Sequence, residues 1–268
     1  MSDTVTTGIP ALDTFLKGGL PKGFTTVLLA PVGAGAELLA KQFAHGSQGR
    51  VIYLTTDESA SEVQAAAKAA EWEFGNVQVV DLQTDFADAM MAAQEQQRNE
   101  PKKEEARPRS GFDPRDLVEG TSSLDFLKGP SRANAEPARS TDYLGRLIEP
   151  FSRLRSPDRM VVHSLDFFLN LYPLEQVVSV LTALKAANAK QGGLLLLVLS
   201  KGAHGATTER RLELLADCLI ELEVTRKGTA FERFFMVKKV KNRSYGIGVS
   251  TYEITPQGFQ LETLERIV

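Results

Sequence analysis

The sequence has little of what marks secreted, membrane-spanning or nucleic-acid-binding proteins. Its 268 residues include one cysteine, Cys218, so no disulfide can form within the chain, as is typical of the reducing cytosol. The apolar run at 194–199 is far too short to span a bilayer, and MSDTVTTGIP lacks the apolar core of a secretory signal. The net charge of −3 and the isoelectric point near 5.8 give no general attraction to nucleic acid. We expect a cytoplasmic protein without membrane contact, and nucleic-acid binding only through a local basic patch.

Short apolar runs alternate with helical patterns along most of the chain. The predicted buried strands are TTVLLA, RVIYLTT, VQVVDL, DRMVVHS, GLLLLVLS and CLIELEV. Alternation of this kind is typical of a parallel sheet whose crossovers are helices. The last runs, FERFFMVKKV and VSTYEITPQGFQLE, predict antiparallel strands. The sequence therefore predicts one α/β domain over residues 1–268, with a mostly parallel central sheet, helices on both faces and antiparallel strands at its carboxyl-terminal edge.

The segment 94–139 interrupts this pattern. It is rich in Glu, Lys, Arg, Pro, Ser and Gln, a composition that buries too little apolar surface to offset the entropy of ordering the chain. We therefore predict a disordered insertion within the domain. Two apolar islands in it, FDPRDL and SLDFL, are either chance or motifs that fold on a protein partner.

The stretch APVGAGAE, at 30–37, has the order of a phosphate-binding loop without its side-chain chemistry. An apolar strand precedes the glycines and a helical pattern follows, which points backbone N–H groups at an anion. The Lys that would contact the phosphates and the Ser or Thr that would hold Mg²⁺ are replaced by Ala36 and Glu37. Two unit charges of the same sign 4 Å apart repel by about 4 kcal/mol at an effective dielectric constant of about 20. Glu37 therefore disfavours Mg-ATP at this loop.

TTGIPALDTFLKGGLPKGF, which precedes the loop, resembles the opening of a KaiC-like or RadA-like member of the RecA superfamily of P-loop ATPases. The resemblance continues through YLTTDES, VVHSLDFF, SKGAHG and RLELLADCLIELE, and it covers nearly the whole chain apart from the insertion. It implies a RecA-like P-loop fold. It also implies that Gly33, Ala34, Gly35, Ala36 and Glu37 occupy the nucleotide-binding loop, in a form that departs from the family's Walker A motif.

The resemblance assigns further roles, and each has a structural alternative. Asp57 and Glu58 match the family's paired acids, one of which is the general base, but they also favour the positive end of a helix. His163 stands where the family has the acid of the Walker B motif, or is a satisfied core histidine. Lys239 and Lys241 match a Lys and an Arg that a neighbouring subunit supplies to the γ-phosphate, or protect an exposed strand edge. A metal site made of His163, Asp57 and Glu58 has no ligand signature, so none is expected.

Lys201 and Asp166 offer a possible rescue of the lost charges, because both follow strands whose carboxyl ends border the predicted cleft. The interpretation we favour is a regulatory or scaffolding pseudo-ATPase that does not hydrolyse ATP, needs no cofactor, and binds a protein partner such as an active paralogue or its own copies. An ATP-binding enzyme with a rearranged site that includes Lys201 is the alternative. A recombination or repair accessory role rests on analogy of fold alone.

Overall fold

The computed structural model describes residues 4–99, 141–242, 248–262 and 265–266. The strands are β1 (Thr4–Val5), β2 (Leu20–Pro21), β3 (Thr25–Ala30), β4 (Val51–Thr55), β5 (Val77–Asp81), β6 (Arg159–His163), β7 (Leu194–Ser200), β8 (Cys218–Lys227), β9 (Ala230–Val240), β10 (Gly248–Thr255), β11 (Gly258–Leu261) and β12 (Glu265–Arg266). The helices are α1 (Pro10–Phe15), α2 (Ala36–His45), α3 (Ala60–Ala69), α4 (Leu82–Asn99), α5 (Tyr143–Ile148), α6 (Asp166–Leu171), α7 (Leu174–Gln191) and α8 (Ala206–Leu215), with a 3₁₀ turn at Pro150–Arg153.

One large sheet dominates the structure, in the order β11-β10-β9-β8-β3-β7-β6-β4-β5, with β12 paired to β10. The strands from β8 to β5 run parallel, and β9, β10 and β11 add antiparallel pairs beyond β8. This arrangement confirms the predicted α/β fold with a mostly parallel sheet and antiparallel carboxyl-terminal strands.

The inner strands are buried along their length, which explains why they are continuous apolar runs rather than alternating ones. Every residue of β3, β4 and β6 is buried, as expected for strands covered by helices on both faces. Local signals set the helix ends. A capping box between Ser59 and Glu62 opens α3, and α7 begins after Pro173 and ends at Gly192, whose φ is 80°.

A buried arginine, Arg159, connects the amino-terminal segment to α2 through hydrogen bonds. Arg159, at the start of β6, donates hydrogen bonds to the backbone oxygens of Thr6, Thr7, Phe43 and Gly46. The last-turn carbonyls of a helix have no partner within it, so the guanidinium satisfies the Phe43 oxygen of α2 and complements the negative end of its dipole. Burial lowers the pKa of Arg159 to about 10, with the charge of Asp13 opposing the change.

The chain divides into two compact units, Met1–Gln83 with Tyr143–Val268, and Thr84–Asp142. The helix α4 runs to Asn99, so the predicted start of the disordered insertion at residue 94 falls inside a helix. The rest of the predicted insertion, with its FDPRDL and SLDFL islands, lies outside the described residues. Within the described part of the chain, no helix has the length and apolar character needed to cross a membrane.

Candidate functional site

The loop between β3 and α2 has the backbone of an anion cradle. Gly33 and Gly35 have φ values of 80° and 81°, in the left-handed region that favours glycine. A Cβ on Gly33 would meet nothing within 4 Å, so the loop is open on that side. Gly35 is the N-cap of α2, and its oxygen accepts from Leu38 and Leu39. The N–H groups of Ala36 and Glu37 therefore sit at a free helix start, where anions are favoured.

The β10–β11 hairpin supports this loop from the other side. The hydroxyl of Tyr252 donates to the oxygen of Ala34 at 2.7 Å, and the ring of Tyr252 stacks on Phe259 with centroids 4.1 Å apart. Burial raises the pKa of Tyr252 to about 12, so it remains a donor at neutral pH. A Cβ on Gly35 would lie 2.5 Å from Cδ1 of Ile254, the end of an exposed side chain that can move aside, so it is the positive φ that favours glycine there.

A cleft of about 250 Å³ lies in front of the loop, where the carboxyl ends of β3, β4, β6 and β7 meet. Its charged or titratable lining side chains are Glu37, Asp57, Glu58 and His163, and among the described residues no Lys or Arg lines it. Its volume is below the roughly 300–1,000 Å³ usual for small-molecule sites. A larger cavity of about 630 Å³ lies elsewhere, beside Arg50 and Asn76.

His163 and Asp57 form a pair at the mouth of the cleft. Nδ1 of His163 is 2.9 Å from Oδ1 of Asp57. The neighbouring strands β4 and β6 bring the two residues together, because Thr55 at the end of β4 pairs with His163 at the end of β6. The imidazole side chain is 6% exposed and the carboxylate 51%. Across the described ranges, no group of three or more His, Cys, Asp or Glu side chains is placed to hold a metal ion.

Lys41 is the site residue that the sequence interpretation missed. Its Nζ lies 2.6 Å from Oε2 and 2.8 Å from Oε1 of Glu58, although its side chain is only 2% exposed. A usable signal was present, because Lys41 falls within the apolar stripe of α2 that includes Ala40 and Ala44. A charged residue in such a stripe is seldom buried without a partner, so a nearby acid was to be expected.

The carboxylates of the cleft create a negative field behind it. The pKa of Tyr53 is raised well above its usual value by burial first, and then by the charges of Glu58, Asp57 and Glu37. Within the described residues its hydroxyl has no hydrogen-bond partner. An anion entering the cleft would meet this same field.

Lys201 does not join the cleft. Its Nζ contacts Glu221 at 2.5 Å and Glu223 at 2.9 Å, both on β8, which is separated from β7 by β3. Burial opposes its positive charge, but the hydrogen bonds to these two acids outweigh burial and raise the pKa of Lys201. The expected contribution of Lys201 to nucleotide binding therefore has no geometric basis in this structure.

Asp166 does not line the cleft, but it holds two residues that do, Ser164 and Ser200. Its Oδ2 accepts from the hydroxyls of Ser164 and Ser200, each at 2.8 Å, and from the amide of Ser200 at 3.1 Å. Its Oδ1 is 2.7 Å from Nε2 of His204. With four polar contacts within the fold, Asp166 ties the ends of β6 and β7 together and is not free to replace a lost Mg²⁺ ligand.

Lys239 and Lys241 lie away from the loop, near the other end of the sheet. Lys239 pairs with Leu219, which is level with Val27 of β3, and the amide of Lys241 donates to the oxygen of Asp217. The loop leaves β3 after Ala30, at the opposite end of that strand. These lysines therefore do not meet the cleft of their own chain.

The fold and the glycine cradle together define the chain as a RecA-like P-loop domain. The family model of the KaiC ATPase domain matches residues 5–265, and the chain therefore belongs to the KaiC family. It is similar to the crystal structure of a KaiC-like protein from the hyperthermophilic archaeon Pyrococcus horikoshii OT3, with a TM-score of 0.62, 19% identity, and 97% of this chain and 98% of that chain covered. That likeness supports the fold alone. No curated protein matches the sequence.

Proposed function

We propose that this KaiC-family protein is a regulatory or scaffolding pseudo-ATPase, which does not hydrolyse ATP and acts by binding protein. The observation that carries the proposal is the charge of the cleft, where three carboxylates and no Lys or Arg of the described residues face the loop. A nucleoside triphosphate brings several negative charges into that space. No Lys or Arg of the described residues lines it, and Lys41, which lies behind Glu58, is already paired with that acid.

The backbone of this site suits Mg-ATP, but its side chains do not. The backbone suits phosphate, because Gly33 is open and α2 presents its free amides. The side chains do not, because Glu37 opens the helix and His163 stands where an acid would be needed for Mg²⁺. Each carboxylate about 4 Å from a phosphate charge costs roughly 1 kcal/mol in water and about 4 kcal/mol at an effective dielectric constant of 20. The residues present therefore do not fit Mg-ATP.

A thermal shift tests the proposal on the natural chain. A ligand present at 100 times its Kd stabilises a protein by about 2.7 kcal/mol. For a domain of this size that corresponds to a rise in Tm of roughly 5–11 °C. We expect millimolar Mg-ATP to leave the Tm unchanged. A rise of that size, together with phosphate release, would contradict the proposal.

We place the protein-binding function in contacts between copies of the chain. Lys239 and Lys241 cannot reach the cleft of their own chain, so an ion pair between them and the acids of a cleft requires a second copy, in a head-to-tail contact. Such a contact brings an acidic site and a basic strand end together without nucleotide.

Light scattering at several concentrations tests this self-association. We expect the natural chain to form oligomers that dissociate in high salt, and Lys239→Ala/Lys241→Ala to shift the chain toward monomer. The matched control is Lys22→Ala/Lys190→Ala, which removes two exposed lysines without an ion pair in the described part of the chain. A natural chain that stays monomeric, or equal loss in both variants, would refute the contact.

A further inference from the structure

Glu58 differs from the other acids of the cleft because it has a cation of its own. Both of its carboxylate oxygens contact Nζ of Lys41, at 2.6 Å and 2.8 Å. Asp57 instead pairs with His163 and is half exposed, and Glu37 has no ion pair within the described residues. Of the two acids that match the family's paired acids, Glu58 is thus the one that is held from inside the protein.

We propose that Lys41 is a positioning residue that locks the carboxylate of Glu58, so that one of the two acids matched to the family's paired acids is held in place, in addition to the changes at the loop. This inference rests on the proposed pseudo-ATPase function and deepens it. It assigns to one lysine of α2 a role that the loop substitutions do not explain.

The burial of Lys41 makes the contact a lock rather than a surface ion pair. The lysine side chain is 2% exposed, while Glu58 is 25% exposed on its cleft side. In the part of the chain that is described, Glu58 is the one ion-pair partner of Lys41. If Glu58 accepted a proton or swung away, a buried ammonium would be left without a counter-charge, which proteins strongly resist.

The backbone of Glu58 is held as firmly as its side chain. The hydroxyl of Thr55 donates to the oxygen of Glu58 at 2.7 Å and accepts from its amide at 3.2 Å. The residue is therefore fixed at both ends, by the end of β4 and by the helix that follows the loop. A carboxylate held in this way keeps one orientation, and taking a proton from a water molecule in the cleft would break its buried ion pair with Lys41.

Carboxylate labelling tests the lock without nucleotide. The natural chain, Lys41→Met and Lys41→Arg are treated with a carbodiimide and an amine, and the modification of each acid is measured by mass spectrometry. We expect Lys41→Met to increase the labelling of Glu58 about tenfold. This is the change in an equilibrium constant that corresponds to a lost interaction of about 1.4 kcal/mol. Lys41→Arg keeps the charge and should leave Glu58 protected, and Glu37 should label equally in all three.

Thermal melts check that each variant is folded, and Lys41→Gln replaces Lys41→Met if the latter does not fold. Equal labelling of Glu58 in the natural chain and in the folded uncharged variant would overturn the lock. The lock would also be overturned if Glu58 were labelled as much in Lys41→Arg as in the uncharged variant. That result would mean that the lysine protects Glu58 by its shape rather than by its charge.

A second measurement uses the chain with a restored loop, Ala36→Lys/Glu37→Thr/His163→Asp. If this variant binds Mg-ATP, adding Lys41→Met should increase its phosphate release about tenfold or more, and adding Glu58→Gln to that variant should abolish the gain. A restored loop that hydrolyses ATP equally fast with Lys41 present would overturn the lock. A restored loop that binds no nucleotide would count against the retained cradle of the proposed function, and the labelling result would still decide the lock.

Discussion

Arg159→Met should be among the most destabilising single substitutions in this protein. The methionine keeps much of the apolar stem but removes the guanidinium that four backbone carbonyls share. Two of these carbonyls, those of Thr7 and Phe43, belong to fully buried contacts, while the bonds to Thr6 and Gly46 are partly accessible.

The expected cost follows from that difference. A buried acceptor left without a partner costs about 1–3 kcal/mol, so the two buried carbonyls predict a loss of about 2–6 kcal/mol. The two accessible carbonyls can turn to water and add little. For a domain of this size, a loss of this magnitude lowers Tm by roughly 4–24 °C.

Urea denaturation followed by circular dichroism measures the change, with a constant m value showing that the folded state is otherwise intact. The control is Arg210→Met, which removes an exposed arginine whose contact is a surface pair with Glu213. That change should cost less than about 1 kcal/mol. If Arg159→Met costs no more than the control, the carbonyl cluster does not anchor the amino-terminal segment and the reasoning is wrong.

Three further predictions concern the fold. Burial raises the pKa of the Cys218 thiol to about 12, so iodoacetamide at pH 8 should leave it unmodified until the protein unfolds; rapid alkylation of folded protein would contradict this. Burial raises the pKa of Glu221, but hydrogen bonds from Lys201 and Lys238 outweigh it and lower the pKa. The stabilisation is therefore present above the unfolded pKa and lost as pH falls, so Glu221→Gln should flatten the acid limb of a stability profile; an unchanged limb would refute it. Ser59→Ala should cost about 1 kcal/mol in urea melts by removing the cap of α3, and no change would count against the cap.

Much of the fold could be predicted from the sequence, because the signals were local. Continuous apolar runs identified the covered strands, and Pro173 with Gly192 marked both ends of α7. The weakest boundary was that of the insertion, since α4 continues to Asn99 through a sequence that is polar overall. A polar helix and a polar loop have similar compositions, so composition alone could not separate them.

The sequence predicted which residues follow the strands at one edge of the sheet, but it did not predict how their side chains pair. The structure brings the loop, Asp57, Glu58 and His163 to one cleft, as the order of parallel strands requires. Lys201, which we expected near the cleft, pairs with acids of β8, and the lysine that contacts Glu58 is Lys41. Which acid a lysine meets depends on strand register and side-chain direction across the fold, and neither is encoded in sequence spacing.

We propose that the loop keeps the backbone shape of a phosphate cradle but no longer binds nucleotide. Calorimetric titration of Mg-ATP tests it most directly, on the natural chain and on Ala36→Lys/Glu37→Thr/His163→Asp in parallel. We expect no binding heat for the natural chain and saturable, Mg²⁺-dependent binding for the restored loop. Micromolar binding by the natural chain would contradict the claim.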